Sequence, residues 1–278
     1  MIALLLALGS SLTYGCADFL GGLGARKAHV LRTVMVAAPA SLAVELMLWP
    51  VLGASFSRGA LGWGALSGVA SAAAFALLYR TLAIGPMNVL SPVTALVSAA
   101  LPVGVGLMQG EHLTAAGLVG LPLALMAVVL VSAGHGAGSA RSSRTALLLA
   151  FGAGAAIALQ LVFLHQAPSD SGVAPLIMGR AVSSAVTLVA AGLLRRRLGP
   201  EKPAYALLAG AGVLDSIANL LFLLAARSGD LAVVAVLTAL YSAGTVLLAR
   251  GVLSERIARG QLVGLGTAAV AVSLLALP

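Results

Sequence analysis

The sequence predicts an all-α integral membrane protein with ten transmembrane helices, arranged as two inverted five-helix repeats. Three observations lead to this prediction: an apolar composition, ten apolar stretches of membrane-spanning length, and a motif that recurs at a fixed separation. Hydrophobic residues make up 60% of the 278 residues and charged residues only 9%, whereas soluble domains contain about 25% charged residues. A soluble fold cannot bury so much apolar surface, so the composition indicates a multi-pass membrane protein.

Ten stretches are long and apolar enough to cross a bilayer, which takes about 20 helical residues. They cover residues 2–24, 31–53, 60–80, 87–108, 114–133, 145–167, 173–194, 204–227, 230–250 and 257–277. Glycine, proline or charged residues separate them, as is typical of helix ends. No basic region precedes the first stretch and no convincing cleavage site follows it, so we expect a retained helix and not a signal peptide. Close glycine pairs such as Gly64 and Gly68 predict tight helix packing.

A six-residue motif is repeated along the chain. Residues 94–99 read TALVSA and residues 238–243 read TALYSA, a separation of 144 residues. The same separation pairs Gly85 with Gly229 and Glu111 with Glu255. A repeat of this length indicates two halves built on one plan.

The repeat divides the chain into a first half at residues 1–133, a linker at residues 134–144 and a second half at residues 145–278. Each half contains five predicted helices. Because five is an odd number, the second half enters the membrane with the opposite orientation, which is the inverted repeat of secondary transporters.

The basic residues predict the orientation in the membrane. Of sixteen Lys and Arg residues, thirteen lie at the face shared by the loops after helices 1, 3, 5, 7 and 9, and the other three are Arg58, Arg180 and Arg227. The positive-inside rule places the thirteen in the cytoplasm and both termini outside, in a plasma (inner) membrane. The net charge of +8 therefore indicates contact with lipid headgroups and no nucleic-acid partner. The single cysteine, Cys16, excludes an internal disulfide.

Several motifs resemble the EamA family of the drug/metabolite transporter superfamily. They are YGCADFLGG at 14–22, YRTLAIG at 79–85, SPV at 91–93, GEHL at 110–113 and SERI at 254–257. The resemblance implies a carrier that moves small organic metabolites across the membrane by alternating access, as a proton-coupled exporter. It implies an amino-acid-like or an amphipathic, cationic substrate, and it leaves open whether the carrier is a monomer or a homodimer.

Two other classes of protein share a polytopic helical architecture. A membrane enzyme acting on a lipid-linked substrate needs a convergent catalytic set, but the four histidines are scattered and no zinc-type spacing or nucleophile elbow occurs. A passive channel does not need a proton-titrating carboxylate. We therefore expect a transporter that is not an enzyme and holds no cofactor or metal.

Ionisable residues inside the apolar stretches are costly in hydrocarbon and so need a partner or a role. Asp18 lies about 7 Å beyond the middle of the first helix, at ~1.5 Å per residue. It is our candidate for proton coupling, since low-dielectric surroundings oppose its charge. The alternative is a structural ion pair with Arg26 or Arg32. For Glu45 in the second helix, a structural pairing is favoured.

Arg180 lies about seven residues into the seventh helix. Its guanidinium suits two-pronged binding of an anionic part of the substrate. An interhelical salt bridge is the equal alternative. For Arg32 the structural interpretation is favoured.

Asp215 and several uncharged polar residues complete the predicted site. Asp215 and Asn219 are one turn apart and share a face of the eighth helix, with Ser91, Ser98 and Ser242 as further polar neighbours. Neutral donors of this kind more often make interhelical hydrogen bonds than bind substrate. The candidate substrate-binding and coupling residues are Tyr14, Asp18, Asn88, Thr94, Gln160, Arg180, Asp215, Asn219, Thr238 and Tyr241. Three prolines, Pro86, Pro92 and Pro102, predict a bendable fourth helix.

Overall fold

The computed structural model describes residues 1–85, 87–111, 114–132, 144–194, 198, 201–253 and 259–275. At residues 88, 89, 128, 131, 132, 253, 261 and 265 it describes the backbone alone. Of the predicted linker at 134–144, only Arg144 falls within these ranges, where it begins a helix.

Within these ranges the chain is helical almost throughout. The α-helices are α1 (Ile2–Ala25), α2 (Val30–Leu52), α3 (Arg58–Ile84), α4 (Met87–Met108), α5 (Ala115–Ser132), α6 (Arg144–His165), α7 (Ala174–Leu193), α8 (Tyr205–Ser228), α9 (Leu231–Ala239), α10 (Tyr241–Leu253) and α11 (Arg259–Leu275). A short 3-10 turn at Ser169–Ser171 precedes α7.

Eight helical segments of the described chain are long and apolar enough to cross a membrane. One of them, Leu231–Val252, combines α9 and α10. Helices α5 and α11 contain shorter apolar stretches, Ala115–Ala127 and Leu262–Leu275. The predicted all-α membrane fold is therefore confirmed for the described part of the chain, whereas the count of ten spans stays a prediction.

The ninth predicted helix, 230–250, is not one regular helix. It is interrupted at Leu240, between α9 and α10. There the Leu240 amide donates to Leu237 O at 3.2 Å and the Ala243 amide donates to Leu240 O at 2.9 Å. Hydrogen bonds three residues apart mark a tightened turn of 3-10 type. By contrast, α4 continues through Pro92 and Pro102, so the interruption lies in the half without those prolines.

The two halves pack against each other through pairs of helices related by the 144-residue repeat. Helix α1 contacts α8, and its counterpart α6 contacts α3. In the same way, the contact of α3 with α7 corresponds to that of α8 with α2. The contact of α4 with α6 corresponds to those of α9 and α10 with α1. Three further pairs, α2 with α7, α4 with α9 and α5 with α11, join each helix to its own counterpart. Exchanging the halves thus maps the pairs named above onto one another, whereas α5 also contacts α9 and α10.

Glycines allow some of these helices to approach at backbone distance. A Cβ atom on Gly64 of α3 would lie 2.7 Å from Pro175 O, and one on Gly68 would lie 2.8 Å from Val182 Cβ on α7. A Cβ atom on Gly15 of α1 would lie 2.8 Å from Tyr241 O on α10. Small residues at such crossings let helices pack in lipid, where the hydrophobic effect does not drive them together.

The connections at one end of the bundle are joined to one another. Ala54, after α2, forms an isolated antiparallel bridge with Gly172, before α7. The Val173 amide donates to Gly53 O at 3.0 Å, and the Ser55 amide donates to Ser171 O at 3.1 Å. Arg227 at the end of α8 donates to the carbonyls of Gly172 and Pro168 at 3.0 and 3.1 Å. These contacts tie the ends of α2, α7 and α8 together.

Candidate functional site

A cavity lies where helices of both halves meet, and the empty space in and around it, open solvent included, is about 520 Å³. Its polar lining residues are Tyr14, Asp18, Ser71, Ser98, Gln160, Asp215, Thr238 and Tyr241. Its apolar lining residues are Ala74, Phe75, Leu78, Ile157, Leu161, Ala235 and Ala239. A smaller cavity of about 180 Å³ shares Ser71 and Gln160 with it and adds Arg180 and Asn219. Eight of the ten predicted site residues thus line these two cavities.

Arg180 is held by carboxylates of two neighbouring helices. Its Nη2 donates to Asp215 Oδ2 on α8 in a short, charge-assisted hydrogen bond. Its Nη1 donates to Ser71 Oγ on α3 at 2.6 Å. Its Cζ lies 5.1 Å from the centroid of the Phe75 ring, within the range of a cation–π contact. This geometry favours the interhelical salt bridge that the sequence left open for Arg180.

Glu45 on α2 brings a second carboxylate to the same guanidinium. Its Oε1 lies 3.5 Å from Arg180 Nε and accepts a hydrogen bond from Ser216 Oγ at 3.2 Å. Its Oε2 has no hydrogen-bond partner among the described residues, although only 1% of the residue is exposed. Two buried carboxylates therefore share one cation, and the structural pairing favoured for Glu45 is present.

A chain of side-chain amides continues from this cluster to α6. Asn219 Nδ2 donates to Asp215 O at 2.8 Å and lies 3.2 Å from Asp215 Oδ2. Gln160 Nε2 donates to Asn219 Oδ1 at 2.7 Å. The helical spacing of Asp215 and Asn219 correctly placed both on one face, and that face meets α6 and α7. These hydrogen bonds fix the orientation of the Asn219 and Gln160 amides beside the cavity.

Asp18 stands apart from this network. It lines the larger cavity and is 7% exposed. In the described part of the chain no Lys or Arg nitrogen lies within 4 Å of its carboxylate. Arg26 donates to Leu82 O and Gly85 O at 3.3 and 3.4 Å, and Arg32 donates to Glu201 O at 2.8 Å. The alternative ion pairs of Asp18 with these two arginines are not formed.

Three hydroxyl-bearing residues lie along the cavity wall near Asp18. Tyr14 on α1 and Tyr241 on α10 have ring centroids 6.1 Å apart, with their planes tilted by 56°. The hydroxyls of Tyr14 and Thr238 have no hydrogen-bond partner among the described residues. A buried hydroxyl without a partner is costly. These two groups are therefore available to a molecule in the cavity.

Among the predicted residues of α4, Thr94 does not line either cavity. Thr94 donates from Oγ1 to the carbonyls of Leu90 and Ala150 at 3.0 and 3.3 Å, so it joins α4 to α6. The side chain of Asn88 lies outside the described residues, as does Pro86. Ser98 lines the larger cavity and donates to Ala95 O at 2.9 Å.

Glu111 has a role that its motif did not reveal. Its two carboxylate oxygens accept hydrogen bonds from the backbone amides of Leu231 and Ala232, at 2.5 and 2.9 Å. These amides are the first two of α9, and a negatively charged acceptor stabilises the N-terminus of a helix. Gly110 just before it has a φ of 85°, which favours glycine. The Gly-Glu motif of the first half thus caps a helix of the second half.

The site offers ion pairing and hydrogen bonding inside an apolar wall, and it holds no obvious metal centre. In the described ranges no three His, Cys, Asp or Glu side chains are grouped so as to hold a metal ion. The arrangement is a bundle of membrane helices around a partly open polar cavity. It defines the class of polytopic membrane proteins with a cavity suited to small molecules within the bundle.

The comparisons with known proteins agree with that class. Residues 144–277 match the model of the EamA-like transporter family, which is part of the drug/metabolite transporter superfamily. The predicted resemblance to this family is confirmed over that segment of the chain. The match indicates a membrane transporter of small molecules.

A solved crystal structure shares the fold of the whole chain. It has a TM-score of 0.73 and 14% sequence identity, and the match covers 99% of this chain and 96% of that one. At this level of identity the likeness shows the fold alone. No curated protein matches the chain.

Proposed function

We propose that the protein is a secondary active transporter that exports a small organic metabolite across the plasma (inner) membrane without changing it chemically. The substrate is an amino-acid-like or an amphipathic, cationic compound. The observation that carries the proposal is the larger cavity, which is lined by both halves of the chain and contains one carboxylate from each half, Asp18 and Asp215.

The helix contacts support an arrangement of two inverted five-helix repeats. When each helix is exchanged with its counterpart, the contact of α1 with α8 becomes that of α6 with α3, and the contact of α4 with α9 becomes itself. Such exchange is expected when two repeats are related by a pseudo-two-fold axis. In known transporters with inverted repeats, the substrate site lies at the interface of the repeats, and the cavity occupies that interface.

Alternating access requires elements that bend or separate around the cavity. Helix α4 contains Pro92 and Pro102, which remove backbone hydrogen bonds. The 3-10 turn at Leu240 lies between Thr238 and Tyr241, which both line the cavity. We assign these two elements as the flexible parts of the walls.

Proton coupling needs a buried group whose charge changes during the cycle. Asp18 faces the cavity and forms no ion pair in the described part of the chain, so a proton or a bound ligand can neutralise it. Asp215, in contrast, is bonded to Arg180. We therefore assign the coupling role to Asp18 and a supporting role to the Arg180 cluster.

Transport by purified protein in proteoliposomes tests the proposal. A panel of radiolabelled amino acids and amphipathic amines is offered with and without an inward or outward proton gradient. We expect at least one compound to accumulate against its gradient, and unlabelled compound on the opposite side to stimulate its flux. Protein-free liposomes and a protonophore serve as controls. Flux that dissipates gradients only, without stimulation from the opposite side, would indicate a channel and overturn the proposal.

A further inference from the structure

We propose that Asp18 is the counter-ion for an ammonium group of the substrate, and that the transported class is a monovalent organic cation with an apolar body. This inference rests on the proposed function, because it concerns the occupant of the same cavity. It commits to one of the two substrate types that the fold and the family leave open.

The charged side chains around the cavity do not all have a partner of opposite charge. Arg180 is bonded to Asp215 and lies 3.5 Å from Glu45. Among the described residues it is the cation of this cluster, and it already faces two carboxylates. Asp18 therefore adds a third carboxylate for which the described chain supplies no cation within 4 Å. A buried charge of this kind needs a partner of opposite sign or a proton.

The lining of the larger cavity disfavours an anionic ligand. Asp18 and Asp215 both line it, whereas Arg180 lines the smaller neighbouring cavity. An anion in the larger cavity would meet two carboxylates without direct access to the guanidinium. A cation there would instead meet carboxylates of opposite charge and reduce the excess of negative charge around the cavity.

The groups around Asp18 suit an alkylammonium or arylalkylammonium ion. Tyr14 and Tyr241 present two aromatic rings with centroids 6.1 Å apart, and aromatic faces attract ammonium groups. The hydroxyls of Tyr14 and Thr238 lack partners in the described chain and accept hydrogen bonds from N–H donors. Beyond them, Phe75, Ile157 and Leu161 form an apolar wall for the remainder of the molecule.

The test is equilibrium binding to the purified full-length protein in detergent, which does not depend on transport. Within each of two series, the probes carry an ammonium, a hydroxyl or a carboxylate head group on a similar apolar body. The first is 2-phenylethylammonium, 2-phenylethanol and phenylacetate, and the second is hexylammonium, hexanol and hexanoate. Isothermal titration calorimetry at pH 7 measures each dissociation constant for the parent protein and for Asp18→Asn. The exposed carboxylate of Asp170 provides the matched control, Asp170→Asn.

We expect the ammonium member of a series to bind best and the carboxylate member worst. Asp18→Asn should weaken ammonium binding by about 30-fold or more and leave binding of the alcohol within about threefold, while Asp170→Asn resembles the parent. If Asp18→Asn does not fold, the dissociation constants of the ammonium, alcohol and carboxylate probes for the parent protein still decide whether the cavity prefers a cation. Equal binding of ammonium and alcohol, no binding of either ammonium, or preference for a carboxylate would overturn the inference. Transport of an anionic compound in proteoliposomes would contradict it while leaving the proposed function intact.

Discussion

Arg180 on α7 and Asp215 on α8 are bonded directly inside the helix bundle, and both are nearly inaccessible to solvent. The bond joins two helices of the second half, and Glu45 connects the same guanidinium to α2 of the first half. Asp215 also lines the larger cavity. The position of the Asp215 carboxylate in the wall of the larger cavity therefore depends on Arg180, which does not line that cavity.

Removing that cation should destabilise the protein. Arg180→Ala leaves two buried carboxylates without their cation, which typically costs about 3–5 kcal/mol. We expect a lower unfolding temperature in detergent and loss of transport, with Arg180→Lys intermediate because it keeps charge but loses the planar fork. The exposed Arg58 supplies the control Arg58→Ala, which should resemble the parent.

A double variant separates pairing from substrate binding. If Arg180 mainly neutralises Asp215, then Asp215→Asn should recover part of the stability lost in Arg180→Ala. An Arg180→Ala protein that unfolds like the parent and transports normally would remove both roles from this residue.

The fold class was accessible from the sequence, because membrane-spanning length and apolar composition depend on the chain alone. The shared face of Asp215 and Asn219 also followed from helical spacing. The pairing of Arg180 with Glu45 did not, since the two residues are far apart in sequence and no local pattern states which helices touch. The 3-10 turn at Leu240 was missed because neither glycine nor proline marks it.

The role of Glu111 shows a different limit of sequence patterns. The repeat identified Glu111 and Glu255 as equivalent, but not what they bond. The structure shows what Glu111 bonds: its carboxylate accepts hydrogen bonds from the first two backbone amides of α9. Glu255 lies outside the described residues.

Weakening this cap should loosen the contact between the halves. Glu111→Gln removes the negative charge and one of the two acceptor oxygens at the positive end of α9. We expect a loss of about 1–3 kcal/mol in the free energy of unfolding, measured by denaturant titration in mixed micelles. Glu201→Gln, an exposed glutamate before α8, is the control. Equal stability of the two variants would show that the cap is dispensable.

The crossing of α3 and α7 can be tested with two glycines of the same helix. A Cβ atom on Gly68 would press against the carbonyl of Gly179 and lie 2.8 Å from Val182 Cβ, whereas one on Gly62 would meet nothing within 4 Å. Gly68→Ala should therefore cost about 1–3 kcal/mol through overpacking. Gly62→Ala should be neutral or stabilise by up to about 1 kcal/mol. Identical melting temperatures for the two variants would contradict the close approach.

The basic residues predict that both termini lie outside the cell. Thirteen of the sixteen Lys and Arg residues lie on the face of the loops after helices 1, 3, 5, 7 and 9. A reporter that is active only outside the cytoplasm should therefore work when it is fused after Pro278 and fail when it is inserted after Lys27. The reverse pattern would invert the orientation, and activity at both positions or at neither would contradict an even number of spans.

The last prediction concerns energy coupling through Asp18. Its carboxylate lies in the cavity wall without an ion pair in the described chain, so its charge can be neutralised by a proton in one state and by substrate in another. Asp18→Asn resembles the protonated form at every pH. We therefore expect the variant to lose accumulation driven by a proton gradient, while exchange of labelled for unlabelled substrate persists at saturating concentrations. Both fluxes are measured in the same proteoliposomes, with Asp170→Asn as the matched control. Should Asp18→Asn concentrate substrate as well as the parent does, Asp18 is structural, and Asp215 and Glu45 become the next carboxylates to replace.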